Sequence, residues 1–341
     1  MRKSLKFALL SVALILLVTL AVKGYVLQVA SGTWAVQPDL SAARSGASAI
    51  LLKDGRVLVT GGDSTGGTLA SAEFIGLDGT SSAAAPMNVA RSRHVSALLA
   101  SGSVLIAGGT TTGGGATNAA EIYDPATDSW TAVTGGMSEA RANATAVVLQ
   151  DGRALIAGGD KSGVASTTLE IFDPITASFS FAGALSSPRT EHAIALLPDG
   201  RVLIAGGSNG STALNSTDIY DPAAGTVTSG PAMSTPRSGL SATAMLDGRI
   251  LLAGGSNGSA DLATAEIFDP VMLTMSPATS SLTTARQGHQ AFLLPNNNNI
   301  LIVGGTSAGA PLASTELYTP WLGTFAPTGS LSSARNLSAA S

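Results

Sequence analysis

The 341-residue sequence contains no cysteine. Disulfide bonds, thiol nucleophiles and cysteine-ligated zinc or iron–sulfur centres are therefore excluded. Histidine is nearly as scarce, because His94, His192 and His289 are the three present and they are far apart in the chain. No two of them have the short spacing of a local metal-binding motif. We therefore expect neither a metal site nor a cofactor.

Charged residues are also scarce. Asp, Glu, Lys and Arg make up 12% of the chain, about half the usual share, and the formal net charge is −4. Lys and Arg cluster only at the N-terminus, so the chain lacks the basic stripe of a nucleic-acid-binding protein. Aromatic residues contribute 4%, whereas 45% of the residues are hydrophobic and 40 are glycine. The composition indicates a folded chain of small apolar side chains with no nucleic-acid partner.

Residues 1–30 differ from the rest of the chain. Arg2, Lys3 and Lys6 precede an almost unbroken apolar run over residues 7–22. This pattern predicts either a cleaved signal peptide or an uncleaved membrane anchor, with its positive residues retained inside. We expect the remainder to be exported across the cytoplasmic membrane, as a secreted, periplasmic or anchored protein. Contact with the membrane is expected only through this segment.

Three sequence features recur together, at a nearly constant spacing from one another, through the remaining chain. Gly-Gly pairs recur every 47 to 50 residues, at 61–62, 108–109, 158–159, 206–207, 254–255 and 304–305. An arginine precedes each pair, and a further one follows the last: Arg44, Arg91, Arg141, Arg189, Arg237, Arg286 and Arg335. An acidic residue follows each pair: Glu73, Glu121, Glu170, Asp218, Glu266 and Glu316. A period of this length is typical of propellers and repeat arrays.

The repeat over residues 189–236 indicates how one unit folds. Its pattern predicts four strands, at 190–197, 202–205, 217–220 and around Val227. Asp199-Gly200 predicts a tight hairpin between the first two, because the turn requires positive φ. Pro222 ends the third strand, since proline cannot donate to a sheet. A four-stranded antiparallel unit of this size buries its faces only when it is stacked radially on its neighbours.

The recurring pattern is Asp-Gly-Arg-Val-Leu-Ile-Ala-Gly-Gly, a loop, then Glu-Ile-Tyr-Asp-Pro, and it resembles the kelch repeat of bacterial proteins. The resemblance covers residues 31–341. It implies an all-β, kelch-like β-propeller of four-stranded antiparallel blades, in the superfamily of the galactose oxidase central domain. Six complete repeats begin near residues 44, 91, 141, 189, 237 and 286, and a partial seventh begins at 335. Residues 32–35 resemble an isolated fourth strand.

The resemblance also implies that one face of the propeller binds ligands. That face carries the loops joining the fourth strand to the first and the second strand to the third. The candidate ligand-binding residues near it are Arg44, Arg91, Arg141, Arg189, Arg237, Arg286, Asp63 and Asp160. A ring of arginines would attract an anionic ligand. The alternative is that each arginine pairs with the third-strand acid of its own repeat.

The sequence identifies no catalytic residue. Galactose oxidase chemistry needs a cysteine cross-linked to tyrosine, and this chain has no cysteine. The favoured hypothesis is a non-enzymatic extracytoplasmic binding or scaffold module, which presents variable loops to a protein or carbohydrate partner. The alternative is a sugar-directed enzyme or lectin, similar to the sialic-acid mutarotase type, that uses an arginine-lined mouth.

Overall fold

The computed structural model describes Trp34 and residues 39–334. The predicted leader at 1–30 and the partial repeat from 335 lie outside these residues. The regular structure of the described part consists of β-strands, arranged as six four-stranded sheets and four two-stranded ones. No helix in this part is long and apolar enough to span a bilayer. The prediction of an all-β propeller with six complete repeats is confirmed.

The six large sheets are the blades, and each is an antiparallel meander in which consecutive strands are neighbours. Blade 1 comprises Ser48–Leu51, Val57–Thr60, Ala72–Ile75 and Ser81–Ala84. Blade 2 comprises Val95–Leu98, Val104–Ala107, Ala120–Asp124 and Ser129–Ala132. Blade 3 comprises Thr145–Val148, Ala154–Ala157, Thr168–Asp173 and Ser178–Ala184.

The remaining blades repeat this arrangement. Blade 4 comprises Ala193–Leu196, Val202–Ala205, Thr217–Asp221 and Thr226–Ser229. Blade 5 comprises Ser241–Ala244, Ile250–Ala253, Ala265–Asp269 and Thr274–Pro277. Blade 6 comprises Gln290–Leu294, Asn299–Val303, Thr315–Thr319 and Thr324–Pro327. The short strands pair Asp63–Ser64 with Gly67–Thr68, Arg91–Ser92 with Thr110–Thr111, Asp160–Lys161 with Val164–Ala165, and Thr306–Ser307 with Ala310–Pro311.

The first strand of each blade lies nearest the propeller axis, because the first strands of consecutive blades pack against one another from blade 1 to blade 6. The second strands of blades 2 to 5 are buried at every position. Five hydrophobic clusters fill the five boundaries between consecutive blades. The core is thus divided among the boundaries, which explains why the second strands are apolar on consecutive residues.

Blade 4 differs from its sequence-based prediction mainly in the first strand, while the third strand, Thr217–Asp221, is one residue longer than predicted. The predicted first strand at 190–197 is shorter, at Ala193–Leu196, whereas the second strand at Val202–Ala205 is as predicted. Thr190 forms an isolated bridge with Ser208, and Glu191 has a φ of +53°. The positive φ interrupts the extended chain, so the strand starts after it.

Gly-Gly ends each second strand because the next blade approaches closely at this point. At Gly254, φ is +62°, and a Cβ would lie 2.6 Å from the carbonyl oxygen of Arg286 and 2.8 Å from Cε1 of His289. Both groups precede the first strand of the next blade. A side chain at this position would therefore push two blades apart.

We expect Gly254→Ala to reduce the free energy of unfolding more than Gly225→Ala does. Gly225 has a similar φ of +65°, but a Cβ there would meet open space. Both substitutions carry about 1–2 kcal/mol of left-handed backbone strain, and Gly254→Ala adds an overpacking cost of about 1–3 kcal/mol. Urea unfolding of the two variants measures the difference. Equal losses would contradict the close approach.

Candidate functional site

The six repeated arginines of the described chain lie inside the propeller. Their side chains are at most 2% exposed, and each guanidinium pairs with the third-strand acid of its own blade at 2.5–3.0 Å. The pairs are Arg44–Glu73, Arg91–Glu121, Arg141–Glu170, Arg189–Asp218, Arg237–Glu266 and Arg286–Glu316. Paired burial of this kind satisfies a charge that would otherwise be costly inside a protein.

Blade 5 shows what each pair connects. Nη1 of Arg237 donates to the carbonyl oxygens of Gly254 at 3.0 Å and Thr264 at 2.7 Å, at the ends of the second and third strands. The other oxygen of Glu266 accepts the backbone N–H of Ser234, in the linker from blade 4, at 2.8 Å. Burial lowers the pKa of Arg237, and its hydrogen bond and charge contact with Glu266 offset part of that shift. The pair therefore joins two strands and the incoming linker.

This placement corrects the expectation of an arginine-lined mouth. None of the six guanidinium groups reaches the predicted ligand-binding face, because each is enclosed by its partner acid and by backbone carbonyls. The alternative interpretation, pairing with the third-strand acid, describes what the structure shows. Asp63 and Asp160, in contrast, do lie at the end of the second strand on the predicted face.

Arg237→Met is expected to lower the free energy of unfolding by about 3–5 kcal/mol, because it leaves the Glu266 carboxylate buried and unpaired. Arg249→Met is the matched control in the same blade. Its pair with Asp247 is about 40% exposed on each side, and exposed pairs contribute about 0–1 kcal/mol. Chemical unfolding of both variants makes the comparison. A small effect at both positions would show that the buried pairs are not what holds the blades.

The three histidines are buried between blades. The Nε2 atom of each shares a hydrogen bond with a hydroxyl of the preceding blade: His94 with Thr60 at 2.9 Å, His192 with Thr145 at 2.6 Å and His289 with Ser241 at 2.9 Å. Burial, together with the charge of the nearby arginine, lowers the pKa of each to about 3. They are neutral structural groups at separate boundaries.

The histidines should make the protein sensitive to mild acid. Their pKa of about 3 in the folded state lies below the value of about 6.5 expected for unfolded chains. The unfolded state therefore takes up protons first, and stability falls as the pH drops from about 6.5 towards 3. Between pH 7 and 5.5 the three groups together account for a loss of about 4 kcal/mol. Replacing His192 with Asn should remove about a third of that loss in urea unfolding, and an unchanged pH dependence would contradict its neutral state.

A row of left-handed backbone positions lies at one end of the axis. The residue two positions after each arginine has a φ between +52° and +63° in all six blades: Gly46, Arg93, Asn143, Glu191, Gly239 and Gly288. The amide of Arg93 donates to the carbonyl of Gly46 at 2.7 Å, and the amide of Gly288 donates to that of Gly239 at 2.9 Å. Because the first strands lie around the axis, this row borders its opening, which we call the mouth.

Blades 2 to 4 keep side chains in this row, although the backbone favours glycine. A left-handed φ costs a residue such as Arg or Glu about 1–3 kcal/mol, and strain of this kind concentrates at functional sites. The strained residues are Arg93 and Glu191, while Asn143 tolerates the conformation better. One signal in the sequence could have found them, since glycine occupies the same repeat position in blades 1, 5 and 6.

The two predicted aspartates lie beside these residues. Asp63 Oδ2 is 3.8 Å from Arg93 Nη2, whose side chain is half exposed. Asp160 Oδ1 accepts a hydrogen bond from Asn143 Nδ2 at 2.7 Å. Desolvation by the surrounding protein raises the pKa of the Glu191 carboxyl, although the residue keeps an exposed surface, and the nearby Asp160 carboxylate adds to the shift. We call these five residues the mouth cluster: Asp63, Arg93, Asn143, Asp160 and Glu191. Three acids and one arginine give it an excess of negative charge.

The opposite face offers grooves rather than a charged cluster. One groove of about 670 Å³ lies between blades 2 and 3 and is lined by Leu99, Ile122, Asp151, Arg153 and Ile175, among others. Asp151 and Arg153 pair with each other at 2.7 Å. Asp151 and Arg153 thus neutralise each other, and Asp173 leaves a single further carboxylate in the groove, whereas the mouth gathers several.

Comparison with known proteins agrees with this architecture. The model of the Kelch motif family matches residues 195–234, which is one repeat centred on blade 4. The described fold is a β-propeller of four-stranded blades, and the motif matched in blade 4 is that of the kelch family. No curated protein sequence matches it.

Many solved structures are similar to the chain, among them a fungal alcohol oxidase and YjhT. The first is a novel fungal alcohol oxidase of the AA5 family in complex with copper, with a TM-score of 0.64 and 22% identity over 77% of this chain. The chain spans 58% of that protein. The other is YjhT, with a TM-score of 0.67 and 16% identity, covering 86% of this chain and all of YjhT. At these identities the likeness establishes the fold alone.

The copper of the fungal oxidase has no counterpart in the residues described here. Between residues 39 and 334, no three His, Asp or Glu side chains are grouped so that they could hold a metal ion. The three histidines are enclosed at different blade boundaries, and each uses Nε2 to contact a hydroxyl. The donor set therefore does not fit a copper centre.

Proposed function

We propose that this protein is a non-enzymatic binding module, exported through its N-terminal segment, that holds a ligand at the mouth. The observation that carries the proposal is the contrast between its two sets of charged residues. The repeated arginines and acids are buried and paired in every blade, so they serve the scaffold. Arg93 and Glu191 instead keep charged side chains at strained positions that border the mouth.

The mouth cluster favours a neutral ligand rich in hydroxyl groups, such as a glycan. Carboxylates accept hydrogen bonds from hydroxyls, and a charged partner makes such bonds stronger than neutral ones. The excess of acids disfavours the anionic ligand that an arginine ring would have attracted. The surrounding second-to-third-strand loops contain mainly Ser, Thr, Gly and Asn, which suit polar contacts at the rim.

A sugar-directed enzyme is the second candidate, and the pair of Asp160 and Glu191 favours it. Partial desolvation and the Asp160 carboxylate raise the pKa of Glu191, and Asp160 accepts a hydrogen bond from Asn143. Two carboxyl groups in different environments can divide the roles of acid and base. Turnover of a bound sugar that is lost in Glu191→Gln would favour this candidate over a binding module.

We expect the full chain to bind members of a neutral glycan library, and we expect Asp160→Asn to weaken that binding about tenfold or more. A hydrogen bond to a charged group contributes about 1.5–3 kcal/mol, and the substitution removes one of the three carboxylates of the mouth cluster. Calorimetry with the best glycan measures the affinity. Asp199→Asn is the control, because that residue forms an exposed pair with Arg201 on the opposite face.

Two other results of this binding experiment would change the proposal. Equal affinity of Asp160→Asn and the parent chain would place the binding site away from the mouth. Binding of basic peptides in place of glycans would retain the mouth as the site and assign it a protein partner.

A further inference from the structure

The face of blade 1 that points away from blade 2 is incompletely covered. Val57 and Ile75 are half-buried there, and Leu51 is 61% exposed. The strand pairing makes Ile75 equivalent to the third-strand aromatics of the other five blades. Those aromatics are at most 2% exposed: Tyr123, Phe172, Tyr220, Phe268 and Tyr318. Blade 1 therefore lacks the neighbour that covers this face elsewhere.

Blade 6 is incompletely covered on the opposite side. Leu294 and Leu301 are half-buried, and Phe292 is 49% exposed. The residues equivalent to Leu301 in the other blades are at most 1% exposed: Leu58, Leu105, Leu155, Leu203 and Leu251. If blade 6 packed directly on blade 1, both faces would be buried as at the other boundaries. We call the space between these two faces the seam.

Trp34 occupies a fourth-strand position beside the seam. Its Nε1 donates to the carbonyl oxygen of Gly329 at 3.1 Å. In blade 2, Trp130 of the fourth strand donates in the same way to Ala85, just after blade 1, at 2.7 Å. The pairing registers make Ala85 and Gly329 equivalent. Trp34 thus lies against blade 6 as the fourth strand of a following blade would.

The linker into blade 1 also indicates that a fourth strand precedes blade 1. The backbone N–H of Ser41 donates to Oε2 of Glu73 at 2.7 Å. In blade 3 the equivalent donor is Ser138, which binds Glu170 at 2.7 Å and follows the fourth strand of blade 2. The chain therefore enters blade 1 along the path that leads from the fourth strand of a preceding blade.

The third-strand partner of this fourth strand is missing from the described residues. Trp130, Phe179 and Phe325 of other fourth strands each lie 4.7–5.0 Å from the aromatic ring of their own third strand. Trp34 is 42% exposed, and no ring among the residues described here lies against it at such a distance.

We propose that the seam is a docking site for a β-hairpin of kelch sequence, which supplies the second and third strands of a seventh blade. Its second strand brings small aliphatic residues ending in Gly-Gly, and its third strand brings an aromatic ring. That ring stacks on Trp34 and covers Phe292 and Leu301, and the other face of the hairpin covers Val57 and Ile75. Trp34 already holds the place of the fourth strand.

Cysteine cross-linking tests whether the seam is open, since the chain has no native cysteine. Ser48 and Ser96 share a hydrogen bond across the boundary of blades 1 and 2, so a cysteine pair at these positions is the positive control. Gln290 and Ala49 are the equivalent positions at the seam. We expect the control pair to oxidise to a disulfide and the seam pair to remain reduced. Equally rapid oxidation of both pairs would show a closed ring of six blades and overturn the proposal.

A peptide titration tests the occupant. The probe is a synthetic copy of residues 201–222, which contain the second and third strands of blade 4. We expect saturable binding to the full chain, a quenched or shifted tryptophan emission that Trp34→Leu removes, and a rise in Tm. Phe292→Asp should weaken binding at least tenfold, whereas Phe181→Asp, at a phenylalanine that is 67% exposed on blade 3, should not.

Two results would overturn this assignment of the occupant. One is binding that a scrambled peptide of the same composition reproduces. The other is a dimer of the full chain that Phe292→Asp dissociates, since it would assign the seam to a second copy of this protein.

Discussion

The buried pair between an arginine and a carboxylate is the interaction on which the rest of the structure depends. Each pair fixes the end of the second strand, the start of the third and the linker from the preceding blade. A blade of four short strands has two apolar faces and cannot stand alone. Hydrophobic contact at the boundaries supplies attraction without direction, whereas the ion pair, through charged hydrogen bonds, sets the position of one blade relative to the next.

Because the ion pairs position the blades, few charged side chains remain to contact a ligand. Most acids and arginines that recur with the repeat are paired with one another. The pairs lie either inside the blades or in the exposed Asp-Gly-Arg turns of the opposite face. The mouth cluster departs from the repeat, because it is concentrated on blades 1 to 4 while blades 5 and 6 have glycine in the row. A ligand would therefore meet an asymmetric surface on a nearly symmetric frame. Under the proposed function, specificity arises from these departures.

Much of the fold could be predicted from the sequence, because its signals are local and repeated. The phase of Gly-Gly, arginine and acid indicated the six blades, and Asp199-Gly200 indicated the first hairpin of blade 4. The direction of the arginine side chains could not be read in the same way, since a residue beside a loop can turn outward or inward. Glu191 was missed because its positive φ breaks a predicted strand, and Arg93 because the glycine that marks this repeat position in blades 1, 5 and 6 is a weaker signal than the markers present in every blade.

A double-mutant cycle on Arg189 and Asp218 tests the central claim most directly. Their guanidinium and carboxylate groups are 2.7 Å apart and at most 1% exposed. Unfolding free energies of Arg189→Met, Asp218→Asn and the double variant give the coupling between the two side chains. A scaffold pair predicts a favourable coupling of about 2–3 kcal/mol. A coupling near zero would contradict the account, because the blades would then be positioned by apolar packing alone.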